Sequence, residues 1–274
     1  MKKITVGVIL VGLAIVSLSS MVFHNRTANK TYEASNSIDS LLVGDNNTPI
    51  TVKGTNGGVI TVRYKETRNN KYKIEEDGRE LVVERKRNWF PLNWFSFGGD
   101  SGEVVVEVPK DQLEEVTLET GNAPIIVENL SLDNAFIDTS NGEVNVSDLE
   151  VANVLSARTT NATLTASDLT FEDGEFLTTN GTIEVQQLEG DTIMLESTNA
   201  NLNFDKVKVT SLLSVESSNG HIKGKVIGKQ SEFEIYSDTS NGKNIPGNTD
   251  ASASRDKMIE ADTSNGDIVI EFSE

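Results

Sequence analysis

Cysteine is absent from the 274-residue chain, and histidine is reduced to His24 and His221. No disulfide framework, thiolate nucleophile or cysteine-based zinc or iron centre is available, and a lipid anchor carried on cysteine is excluded as well. His24 lies beside a hydrophobic leader, so a Ser-His-Asp triad or a histidine metal site has only His221 to draw on. Aromatics are sparse at 6%, and basic residues are scarce in the C-terminal part: residues 111–274 hold 9 Lys/Arg against 30 Asp/Glu, whereas residues 1–110 hold 15 against 12. A body of that acidity repels nucleic acid and anionic lipid and attracts cations. What is present, 36% apolar residues in a chain of this length, suffices for a packed core.

One long uncharged run exists, the twenty residues from Ile4 to Phe23, preceded by Lys2 and Lys3. Its length matches one bilayer crossing. A cleavable signal peptide with its site near "SLSS" is the competing reading, and either one exports the rest. The run continues through Met21, Val22 and Phe23 and no Ala-x-Ala is present, which favours an uncleaved transmembrane helix with the short N-terminus inside. The expected organisation is a membrane segment at 1–30, an irregular β region or N-terminal cap at 31–110, and repeats from 111 to 274. The expected location is the cell membrane, single-pass, with the body extracytoplasmic.

The repeats begin from "DTSNG", present at Asp138–Gly142, Asp238–Gly242 and Asp262–Gly266. Weaker copies bring the asparagines to Asn122, Asn141, Asn161, Asn180, Asn199, Asn219, Asn241 and Asn265, spaced by 19, 20, 19, 19, 20, 22 and 24 residues. Such a period signals a solenoid. Three residues after the Asn stand Ile125, Val144, Leu164, Ile183, Leu202, Ile222 and Ile268, with Asn244 the exception; four before it stand Leu118, Ile137, Ala157, Phe176, Leu195 and Val215. Apolar positions fall in three groups per coil, each with a period of two. The expected fold is all-β: a single-stranded parallel β-helix of triangular section, right-handed by the general crossover preference, with about 19–20 residues per coil. The asparagine turns the chain through left-handed backbone and hydrogen-bonds to its neighbours as a structural ladder. The small residue after it makes room.

Facing outward three residues before the Asn are Glu119, Asp138, Glu196, Glu216, Asp238 and Asp262, with Arg158 and Leu177 breaking the row. Calcium would relieve the repulsion in such a row. No copy has the spaced aspartates of a dedicated calcium loop, and a charged face that blocks lateral sheet association accounts for the same pattern. No cofactor is expected. A second feature is "NWFPLNWFSF" within the aromatic loop 88–99, flanked by basic residues. Arg85, Lys86, Arg87, Trp89, Phe90, Leu92, Trp94, Phe95 and Phe97 suit contact with a membrane interface or a protein partner; equally, the loop suits a cap over the first coil.

The leader, the "VVVEVPKD" strand and the Thr-Ser-Asn-Gly repeats with "GEVNVSDLE" and "GTIEVQQLEG" resemble the bacterial DUF-type putative adhesin family of β-strand repeats, which includes LiaG-like envelope proteins of Gram-positive bacteria. The resemblance spans about residues 40–274. It implies an extracytoplasmic β-helix without catalytic residues and, for LiaG-like members, a link to envelope stress. The expectation is a non-enzymatic protein of envelope adhesion, sensing or stress response, partnered by the membrane and by an envelope protein or cell-wall glycan. The alternative is a carbohydrate-active β-helix enzyme acting on cell-wall polysaccharide, although an active site would gather unlike residues at one level and the outward carboxylates follow the repeat. An ice-binding face is disfavoured because one of its two outward positions is usually acidic.

Overall fold

The computed structural model describes residues 28–67, 70–86, 102–249 and 255–274. Most of the expected membrane segment and the whole aromatic loop lie outside these residues. Among the described residues, no helix is long and apolar enough to cross a membrane.

The middle of the chain stacks in parallel: β9 (Ile125–Thr139), β10 (Val144–Thr159), β11 (Leu164–Thr170), β12 (Asp173–Thr178), β13 (Ile183–Ser197) and β14 (Leu202–Ser217). Ile125 pairs with Val144, then Leu164, Ile183 and Leu202 follow in register. On another face Ile137, Ala157, Phe176, Leu195 and Val215 form the same kind of column. These side chains are buried and join one continuous apolar core along the axis. The all-β solenoid read from the repeat is the observed architecture.

The stacking order departs from chain order at both ends. β18 (Lys257–Thr263) lies between β14 and β16 (Phe233–Thr239). β19 (Ile268–Ser273) lies between β15 (Ile222–Ile227) and β17 (Asn244–Ile245). The last coil in sequence is thus the second from the end in space. At the other end, β2 (Ser40–Gly44) lies between β6 (Glu80–Arg85) and β8 (Glu115–Thr120), and β3 (Ile50–Thr55) between β7 (Val104–Pro109) and β9. Part of the region expected as an irregular cap therefore supplies regular coils. The cap proper is antiparallel: β4 (Thr61–Glu66) joins β7, β1 (Ala28–Glu33) joins β4, and β5 (Tyr72–Asp77) joins β6.

Both ends manage their open edges, which would otherwise invite further strands. At the C-terminal end, residues 244–249 fold over β16: the Ile235 N–H donates to Thr249 Oγ1 (2.8 Å), Thr249 N–H returns a bond to Ile235 O (3.1 Å), and Ser237 N–H donates to Asn248 Oδ1 (2.5 Å). At the N-terminal end, the buried Glu66 carboxylate accepts from the Tyr72 N–H (3.1 Å) and pairs with Lys30 (2.7 Å) and Lys71 (3.3 Å). Burial pushes this carboxyl up, but the bonds from Lys30, Tyr72 and Lys71 together outweigh it and hold it below its ordinary value. A depressed carboxyl contributes stability above its unfolded pKa of about 4.3, and that contribution is lost as pH falls through the folded value. Acidification is therefore expected to release β1 from β4, read as early loss of amide protection over residues 28–33. Glu66→Gln should lower that protection at neutral pH and remove its acid dependence.

Candidate functional site

The asparagines occupy the corner between the face that precedes each of them, such as Ile137 and Ala157, called the first, and the face that follows, such as Ile125 and Val144, called the second. Each amide donates to the preceding rung: Asn141 to Asn122 (2.7 Å), Asn161 to Asn141 (2.7 Å), Asn180 to Asn161 (2.7 Å), Asn199 to Asn180 (2.8 Å) and Asn219 to Asn199 (3.0 Å). Beyond Asn219 the order is Asn265 and then Asn241, each at 3.0 Å. All eight expected rungs are present, and Asn122 adds a ninth by donating to Asn47 (2.7 Å).

Left-handed backbone, expected at these asparagines, falls elsewhere. Positive φ of 54–58° occurs at Asn129, Asp148, Asp168, Gln187 and Lys206, seven residues further along, where the second face bends into the third. At the ladder corner a side-chain hydroxyl closes the turn instead. The N–H groups of Gly142, Gly181 and Gly220 donate to Thr139, Thr178 and Ser217 at 3.1, 3.1 and 2.9 Å. The buried Thr159 hydroxyl passes a bond on to Gly142 O at 2.9 Å. The glycines are there for space: a Cβ on Gly142 would lie 1.8 Å from Ala123 O, and one on Gly181 1.6 Å from Ala162 O.

Beside the ladder runs the outward row, in the spatial order Glu119, Asp138, Arg158, Leu177, Glu196, Glu216, Asp262, Asp238. The last four are successive exposed carboxylates at a strand spacing of about 4.8 Å, and the exposed Glu260 lies on the same face. Arg158 turns to Glu175 (2.6 Å) on the next coil. Ser140, Thr160, Thr179, Thr198, Ser218, Ser264 and Ser240 present hydroxyls alongside, so the stripe offers many hydrogen-bonding groups and no enclosed cleft. Among the described residues, no group of three or more His, Asp or Glu side chains is arranged to hold a metal ion.

A further polar stripe, missed in the sequence, lies at the second bend. Gln187 donates to Asp168, Lys206 to Gln187 (3.3 Å) and Lys208 to Glu189 (2.5 Å). Here unlike residues do gather at neighbouring levels, but each is engaged by its neighbour. A shallow groove at the third corner is lined by Leu132, Val151, Ala152 and Phe171, with Glu150 and Glu172 at its rim.

Of the residues expected to touch a membrane or partner, Arg85 and Lys86 are described. Arg87, Trp89, Phe90, Leu92, Trp94, Phe95 and Phe97 lie outside the described residues. Arg85 is turned inward, 3.6 Å from the buried carboxylate of Asp45. That carboxylate also accepts from the N–H groups of Asn46, Asn47 and Thr48 (2.6, 2.8 and 3.0 Å) and from the Tyr72 hydroxyl (2.6 Å). Burial, reinforced by Asp45, holds the Tyr72 hydroxyl far above its ordinary pKa, so it stays a donor. Pairing fixes where the loop sprouts: β6 is in register with β2 up to Glu84, and β7 with β3 from Val104. The chain therefore leaves β6 and enters β7 at the positions where, in the neighbouring coil, it leaves β2 and enters β3 around Asn47.

The model of the Toastrack DUF4097 family matches residues 38–273. Among solved structures, the chain is similar to a putative adhesin of Bacteroides fragilis, with a TM-score of 0.56, 12% identity, and coverage of 89% of this chain and 97% of that one. A putative cell adhesion protein of Clostridium sporogenes matches with a TM-score of 0.29, 9% identity and coverage of 91% and 100%. A putative lipid binding protein of Parabacteroides distasonis matches with a TM-score of 0.35, 13% identity and coverage of 88% and 96%. No curated protein matches the chain.

Proposed function

The chain belongs to the Toastrack DUF4097 family, and from that premise we propose that it is a non-enzymatic, membrane-anchored extracytoplasmic solenoid acting in envelope adhesion, sensing or stress response. The observation that carries this reading is the exposed stripe of hydroxyls along the first face, with Glu196, Glu216, Asp262 and Asp238 as four successive carboxylates beside it. A rigid, repetitive polar surface suits an extended partner with repeating polar or cationic groups, such as a cell-wall glycan or an envelope protein. The topology supports anchoring at one axial end. β1 is the outermost strand of the second face, and the uncharged run ends at Phe23, five residues before Ala28. The aromatic insertion leaves from the same end, where Lys86, Arg87, Trp89, Phe90, Leu92, Trp94, Phe95 and Phe97 would meet the membrane or a partner beside it.

The test is a set of three measurements on the full chain. It should fractionate with membranes until detergent is added, and its body should be cut by protease supplied to the outside of intact cells. Purified wall polymer should co-sediment with it without gaining reducing ends. Loss of binding when Glu196, Glu216 and Asp262 are changed to Gln and Asn would tie adhesion to the acidic row. New reducing ends would instead establish the polysaccharide-cleaving alternative.

A further inference from the structure

Five ladder asparagines precede glycine: Asn141, Asn180, Asn219, Asn265 and Asn241. An Asn-Gly pair is chemically fragile. The glycine nitrogen loses its proton and attacks the asparagine Cγ, ammonia leaves, and water opens the resulting succinimide to aspartate or isoaspartate. The sum is asparagine plus water giving isoaspartate plus ammonia, with no redox partner. The reaction needs the side-chain amide free to rotate and the glycine N–H free to ionise.

The ladder withholds the first condition at four of the five positions, and a hydroxyl at the corner withholds the second at three of those, Gly266 being protected by burial alone. Asn141, Asn180, Asn219 and Asn265 each donate to the rung before and accept from the rung after, so rotation breaks two bonds. Their glycines are buried, and the N–H groups of Gly142, Gly181 and Gly220 are already given to threonine or serine hydroxyls. Asn241 is different because its coil is outermost in space. It donates to Asn265 and, among the described residues, accepts from no further rung. Gly242 is the one exposed glycine of the five, and its N–H has no hydrogen-bond partner among the described residues. The hydroxyl of Thr239 donates to Gly266 O at 2.8 Å.

We propose that Asn241–Gly242 is a spontaneous modification site, an ageing mark that the non-sequential stacking of the last two coils leaves open while the ladder guards the other four pairs. Isoaspartate there adds a methylene to the main chain and a negative charge three residues from Asp238. Both act against the stacking of Asn241 on Asn265 and against the segment 244–249 that covers the free edge of β16. Modified chains thereby expose a strand edge that the young protein keeps closed.

The full chain, aged in mildly alkaline heavy-oxygen water at physiological temperature, reads this by peptide mass. Asn56–Gly57, on the exposed turn between β3 and β4, is the reference outside the ladder: its asparagine is on no rung and its glycine is exposed, although the Gly57 N–H donates to Thr55 Oγ1 (3.2 Å). Asn241 is expected to convert about tenfold faster than any of the four guarded asparagines, the order of effect that one extra hydrogen bond and a buried glycine supply, and at a rate approaching that of Asn56. In urea all five should converge. Asn241→Gln should abolish conversion at that peptide alone. Asn241 reacting no faster than Asn180 in the folded protein, or the five keeping the same ratios in urea, would overturn the proposal.

Discussion

Removal of residues 255–274 is expected to unfold two coils, although it deletes only one. Among the described residues, β18 and β19 are the sole strand partners of β16 and β17, and Asn265 is the only rung beneath Asn241. Solenoid stability is a sum of coil and nearest-neighbour terms, so the outer coil loses its whole interface. Direct restacking on β14 and β15 gains little, because Asn244 and Pro246 would face Ile222 and Gly224 where the inserted coil now offers Ile268 and Ile270. Burial of Ile259, Ile268, Ile270, Phe233 and Ile235 is lost together, each worth about 1.5–3 kcal/mol before chain entropy is counted. Hydrogen exchange on the truncated chain should show residues 228–249 unprotected while residues 125–217 keep their protection. Persistent protection of β16 would mean that the outer coil can restack after all.

The repeat made the centre of this molecule legible because a β-solenoid imposes the same inward offsets on every coil. Ile125, Val144, Leu164 and Ile183 could be aligned by counting alone, and they are buried in register. The ends were illegible for specific reasons. Asn47 is a rung with Ile50, Val52, Val43 and Leu41 at the expected offsets, but Asp45 replaces the inward Thr or Ser and hides it. The exchange of Asn265 and Asn241 has a signal in hindsight: the coil with Asn244 and Pro246 at core offsets has least to bury, so it belongs at the end with one neighbour, and the coil with Ile268 and Ile270 belongs between two. The second bend shares a backbone conformation but no residue type across Asn129, Asp148, Asp168, Gln187 and Lys206, so alignment by identity passed over it. The acidic row was visible too, and its unbroken run of Glu196, Glu216, Asp238 and Asp262 is the same in either stacking order; only the exchange of Asp262 and Asp238 within it needed the structure.

Phe176→Ala is expected to cost about 3–5 kcal/mol, the range for truncating a fully buried aromatic. Phe176 is wholly inaccessible and lies in a column between Ala157 and Leu195, with its ring centroid 5.9 Å from that of Phe171. The column explains the size of the neighbour: where the repeat usually places Leu, Ile or Val, Ala157 leaves the volume that the phenyl ring fills. Phe171 in turn covers Gly174 and Gly190, whose added Cβ atoms would fall 2.3 and 2.6 Å from its ring, so its own seat depends on both glycines. Ala157→Leu alone should overpack the site and cost about 1–3 kcal/mol. In the Phe176→Ala background the same leucine should recover stability, because it enters the cavity instead of the ring. A double-mutant cycle from urea unfolding, with unchanged slopes, would read this as a coupling of about 1–3 kcal/mol. Additive losses would show that the two positions do not share one volume, and that the column is packed against something other than its nearest coils.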